Sequence, residues 1–121
     1  MKIQERLYKD TRVKILCDDL DLVESVFEEI IEQRKIIENY ILGDKRFLES
    51  LKPIDVDKDA PEIVRKMAKA ARSAGVGPMA AVAGTLAEFG CKKVSSKSST
   101  ILVENGGDIF LDSKDAITIG I

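Results

Sequence analysis

Two side-chain-poor stretches constrain this chain more than anything else in it. The first is Gly75-Val76-Gly77-Pro78-Met79-Ala80-Ala81-Val82-Ala83-Gly84, and the second is Glu104-Asn105-Gly106-Gly107-Asp108. Glycine is favoured where backbone turns with positive φ or is approached closely by another group. The first stretch reads as a loop feeding a helix whose first turn carries Pro78. A helix start with free N–H groups favours an anion. The second reads as a turn between two apolar strands. Together they are expected to frame one cavity for a phosphate- or nucleotide-shaped ligand. The same small residues suit a tightly packed core helix, and the sequence leaves both uses open.

The rest of the chain supplies a scaffold around them. Lys2 to Tyr8 and Thr11 to Cys17 alternate apolar and polar residues about Lys9-Asp10, which predicts a β-hairpin. Leu22, Val23, Val26, Phe27, Ile30, Ile31, Ile37 and Ile41 recur at helical spacing and predict a helix over 21–42. Asp21 with Glu24 reads as its cap pair and Gly43 as its stop. Asp44 to Leu51 predicts a short helical turn. Asp59-Ala60-Pro61-Glu62 predicts an Asp-capped helix ending at Gly75, with Ile63, Val64, Met67, Ala70, Ala71 and Ala74 as its buried stripe. A further helix is expected over 78–89, stopped by Gly90, followed by a polar loop over 92–99. Strands are expected over 100–104, 108–112 and 116–121, with turns between them. Strands, then helices, then strands predict an α+β domain with a largely antiparallel sheet.

Several function classes are disfavoured. At 121 residues the chain is one domain or part of one. Nineteen basic against 21 acidic residues give a net charge of −2, which does not draw the chain to nucleic acid or to a membrane surface. No run approaches the roughly 20 apolar residues of a membrane span, and the N-terminus lacks a secretion signal. The cytoplasm is the expected setting. There is no histidine, so histidine catalysis is excluded and a zinc site is disfavoured. Cys17 and Cys91 read as small buried side chains, while Lys92 and Lys93 beside Cys91 leave open a lowered thiol pKa there. Asp108 is the best candidate for a functional carboxylate, with a turn-forming, backbone-bonding Asp as the alternative. The chain ends within an apolar run, Ala116-Ile117-Thr118-Ile119-Gly120-Ile121. This suggests a single domain over 1–121 completed by a C-terminal half or by another copy of the chain.

The motifs G-V-G-P-M-A-A-V-A-G over 75–84 and V-E-N-G-G-D-I over 103–109 resemble the ApbE superfamily of flavin transferases, and most closely a branch of unassigned activity. The resemblance covers about 61–121. It implies an ApbE-like fold with FAD or FMN as ligand and Mg2+ as metal. By position, it implies a cofactor site of Gly77, Met79, Ala80, Ala81, Asn105, Gly106, Gly107 and Asp108, with the Ala80 backbone oxygen on the metal. Ala81 and Ala83 stand where that family has lysine and tyrosine, and the family's metal-binding acid and hydroxyl lie beyond this chain. The resemblance therefore implies a flavin or other phosphate-bearing ligand without implying catalysis. The alternative it carries is a non-enzymatic accessory role in sulfur assimilation, with Cys91 as the candidate residue.

Overall fold

The computed structural model describes residues 2–98 and 100–113. The order is β1 (Ile3–Tyr8), β2 (Thr11–Cys17), α1 (Leu20–Gly43), α2 (Lys45–Glu49), α3 (Glu62–Ala74), a 3-10 turn (Pro78–Ala81), α4 (Val82–Val94), β3 (Thr100–Asn105) and β4 (Asp108–Ser113). The architecture is α+β, as the sequence predicts. All three strand pairings are antiparallel and the sheet order is β1-β2-β3-β4. The expected strand over 116–121 and the turn before it lie outside the described residues, apart from Ser113, which closes β4.

Side-chain alternation gives the sheet two unlike faces. Val13, Ile15 and Cys17 of β2 and Ile101, Val103 and Asn105 of β3 are buried toward the helices. Helix α1 lies along this face. It buries Val23, Val26, Ile30 and Ile37 on one stripe, and α4 crosses it with Leu86, Ala87, Cys91 and Val94 turned inward. Phe47 of α2 is fully buried, and its ring meets the edge of Tyr40 at 5.3 Å. Burying a side chain of that size contributes about 2–3 kcal/mol.

Local chemistry corrects several sequence expectations. The cap of α1 is Asp19, whose carboxylate accepts from the Asp21 N–H at 2.9 Å, so the Asp21–Glu24 pair sits inside the helix. Helix α3 has no side-chain cap; Pro61 occupies the cap position and the Asp59 N–H is held by Asp57 at 2.8 Å. Its buried stripe includes Ala68, while Ala70 and Ala74 are exposed. Gly75 does end α3, in the left-handed region at φ 72°. The next helix begins with a 3-10 turn, passes through Gly90 and continues to Val94, into the stretch expected to be a loop. Gly90 is where α4 presses on α1. A methyl placed there would lie 2.8 Å from Ile30 Cγ1. Backbone contact, rather than helix termination, explains this glycine.

Candidate functional site

The β3–β4 hairpin turns on Gly106 and Gly107, both with positive φ (58° and 93°), as a two-residue turn between paired strands requires. Asn105 and Asp108 are the facing pair that closes it. The Gly107 N–H is taken by Glu104 Oε1 at 2.9 Å. Asp108 therefore does not serve as the backbone-bonding turn residue. Its exposed carboxylate has no hydrogen bond or ion pair among the described residues.

This turn lies directly against the first turns of α4. Asn105 Nδ2 donates to the Ala83 carbonyl at 3.2 Å. A methyl added at Gly106 would touch Ala83 Cβ at 3.5 Å, and one added at Gly84 would meet the Asp108 carboxyl group at 3.7 Å. The two glycine-rich stretches thus meet, but they do not enclose a single cavity. The Asn105–Ala83 bridge stands between two hollows, and only Ala80, Ala81 and Asp108 on one side and Met79 and Asn105 on the other line them; Gly106 lines a third hollow beside Glu5, Arg12 and Lys14, and Gly107 lines none of the three.

One hollow, of about 330 Å3, has a floor of Ala70, Ala71, Ala74, Ala80 and Ala81, with Gly84, Thr85, Glu88 and Asp108 at its sides. An adjoining hollow of about 300 Å3 shares Ala70, Thr85 and Glu88 with it, and brings Lys66, Lys69 and Ser73 alongside. The two form one groove along α3, because Lys66, Lys69, Ala70 and Ser73 recur at helical spacing on one side of that helix. The groove has a polarity. Asp108 stands at one end. At the other, Lys66 pairs with Glu88 at 3.2 Å, whereas the Lys69 ammonium has no partner among the described residues. Glu88 also accepts from Lys92 at 2.6 Å. That hydrogen bond, with a second from Lys66, holds the Glu88 carboxyl below its ordinary range despite partial burial.

The other hollow, of about 320 Å3, holds Met79 and Asn105 of the expected set, together with Val82, Leu86, Ile37 and Ile41. Gly77 lines neither hollow. A methyl there would fall 1.8 Å from the Ser50 carbonyl oxygen, so this glycine admits the Ser50–Leu51 backbone, not a ligand. The helix start is also not bare. Pro78 has no N–H, and the N–H groups of Ala80 and Val82 bond to the carbonyls of Gly77 and Met79. Fewer free N–H groups are left at this tip than the sequence suggested.

Nor does the geometry fit magnesium at Ala80. Among the described residues no three Asp, Glu or Cys side chains converge as a metal group, and one backbone carbonyl does not supply the hard octahedral shell that magnesium demands. Cys91 is fully buried with its Sγ 3.7 Å from the Ile101 carbonyl. Burial, then the charge of Asp112, pushes its thiol up to about 12, which overrides the neighbouring lysines and corrects the reactive-thiol reading.

Lys66, Lys69, Ser73 and the part of the floor that α3 supplies went unrecognised in the sequence, whereas Ala80 and Ala81 were expected. The available signal was the i, i+3, i+7 spacing of 66, 69 and 73, with alanine at 70 and 74 between them. Ala70 and Ala74 instead read as core.

Among the described residues, no helix is long and apolar enough to cross a membrane. Comparison with known proteins places the chain among uncharacterised relatives. It is 44% identical over 115 residues to a UPF0280 protein of Methanocaldococcus jannaschii, covering 95% of this chain and 46% of that one. It is 42% identical over 113 residues to a UPF0280 protein of Methanococcus aeolicus (93% and 46% covered), and 40% identical over 115 residues to one of Archaeoglobus fulgidus (94% and 48%). The chain therefore spans about half the length of the curated relatives it matches. A family model described as AbpE bacteria matches residues 6–121. Neither that model nor these UPF0280 relatives are the ApbE flavin-transferase family, so the family assignment drawn from the 75–84 and 103–109 motifs is overturned. The chain belongs to the family described as AbpE bacteria.

Proposed function

We propose that the chain contributes a small-molecule site in the alanine-floored groove between α3, the start of α4 and the β3–β4 turn, and that its ligand is a nucleotide-type molecule such as FMN. The observation that carries this reading is the polarity of the groove. A carboxylate without a partner among the described residues, Asp108, stands at one end, and an ammonium without one among them, Lys69, at the other. A flat heterocycle with N–H donors satisfies the carboxylate, and alanine methyls give its faces a shallow apolar bed. A phosphate satisfies Lys69, with the Ser73 hydroxyl beside it. This orientation puts the ring, not the phosphate, beside the glycine turn. The two buried free thiols fit the reducing cytoplasm as the setting.

FMN and riboflavin, titrated against the full chain by flavin fluorescence, separate the two ends. FMN is expected to bind at least about fivefold more tightly than riboflavin. Lys69→Ala brings FMN down to the riboflavin level without changing riboflavin itself, and Asp108→Asn weakens both. Equal affinities for the two flavins, or no saturable binding of either, contradict the reading.

A further inference from the structure

The second hollow, on the far side of the Asn105–Ala83 bridge, lies outside the groove just described and has chemistry of its own. Its volume is about 320 Å3, within the range of small-ligand pockets. Ile37, Ile41, Met79, Val82 and Leu86 make most of its wall, and Ile37 and Leu86 are each 3% exposed. Its polar edge is Asp10, Thr11, Arg34, Glu38 and Asn105.

Two acceptors at this edge lack donors. Asn105 is 6% exposed, and its Nδ2 is committed to the Ala83 carbonyl. That bond occupies the amide nitrogen and leaves Oδ1 without a hydrogen bond among the described residues. Glu38 Oε1 is buried and has no hydrogen bond among the described residues; it stands 3.4 Å from Arg34 Nε as an ion-pair contact only. A buried acceptor without a donor, as Glu38 Oε1 is, costs free energy that a ligand's N–H can recover, and Asn105 Oδ1 adds an accessible acceptor at the same edge. The cation at this edge is already engaged. Arg34 bonds the Tyr8 carbonyl, the Thr11 hydroxyl and Asp10. The charges around the edge also cancel, since Arg34 and Lys9 pair with Asp10 and Glu38. A cationic head would meet the Arg34 guanidinium, and an anionic head would meet the two carboxylates.

We infer that this hollow is a binding site for an uncharged, largely apolar molecule that offers N–H donors, an aromatic amide or a related heterocycle. The acceptors at Glu38 and Asn105 select the donor, and the aliphatic wall selects the apolar body.

One apolar body carrying three different heads tests this. Indole-3-acetamide, indole-3-acetate and tryptamine share the ring and differ only in head charge. The chain has no tryptophan, so indole emission reports the ligand alone. The amide is expected to bind the full chain with a Kd of about 1 mM or tighter, and at least about fivefold more tightly than either charged analogue. Val82→Phe fills the hollow and abolishes amide binding. Glu38→Met, on the partly exposed side of α1, weakens it several-fold while circular dichroism confirms an unchanged fold. The inference is overturned if a charged analogue binds as well as the amide, if the amide does not saturate, or if Val82→Phe leaves its affinity unchanged.

Discussion

Gly77 and Gly84 belong to one small-residue run, yet they do opposite things. At Gly77 the missing side chain is occupied by protein, since the Ser50 carbonyl lies where a methyl would go. At Gly84 the space opens onto a groove, and a methyl would make ordinary contact with Asp108 at 3.7 Å. Gly90 repeats the Gly77 case with side chains instead of backbone. A glycine-rich motif therefore does not mark a ligand site uniformly along its length. Some of its glycines bring the scaffold together, and others leave a surface bare. Alanine substitution tells them apart, because the methyl is costly where the space is filled and harmless to folding where it is open.

The largest effect is expected at Gly77. Gly77→Ala forces the Ser50–Leu51 backbone away and should cost about 3 kcal/mol, lowering the thermal midpoint by about 10 °C. A midpoint within a degree or two of the parent would remove the packing role assigned to this glycine. Gly90→Ala comes next. The methyl would press Ile30 Cγ1 at 2.8 Å and Val26 Cγ1 at 3.1 Å, but these are side chains that can shift. Alanine also gains about 1 kcal/mol of helix propensity, so a net loss of roughly 1 kcal/mol is expected in urea unfolding. A stabilised Gly90→Ala would show that the α1–α4 crossing is looser than described.

The smallest effect concerns the rim of the groove and depends on pH. The Glu88 carboxyl is held down in the folded chain, first by the hydrogen bond from Lys92. A depressed carboxyl stabilises the fold above its unfolded value of about 4.3, and this contribution fades as pH falls through the lower folded value. Glu88→Gln should therefore cost about 0.5 kcal/mol near pH 7 and progressively less below pH 4. A stability difference that grows on acidification would reverse the sign of this account.

Periodicity made much of the fold legible. The β1–β2 hairpin, the long α1 and the β3–β4 turn follow from residue alternation, helical spacing and the Gly-Gly dipeptide, and all are present. Local hydrogen-bond competition was not legible. Asp19 rather than Asp21 caps α1, and Asp57 takes the N–H of Asp59, because several acidic side chains were within reach of the same donors. Gly90 looked like a stop because a glycine required by a neighbouring helix and a glycine that ends a helix are the same letter. The candidate site was half legible. Asp108, Ala80 and Ala81 do line the groove, and Met79 and Asn105 line the hollow behind it. The bridge that separates the two, and the lysines that α3 supplies, arise from tertiary packing that no single segment encodes.

The central claim is that the space beside Gly84 serves a ligand and not the scaffold. Gly84→Ala, measured for thermal midpoint and for FMN affinity on the same sample, tests it most directly. The account predicts a midpoint equal to or above the parent, from the helix propensity of alanine, with FMN binding weakened at least about fivefold by the narrowed groove. A lowered midpoint together with unchanged FMN affinity would contradict it.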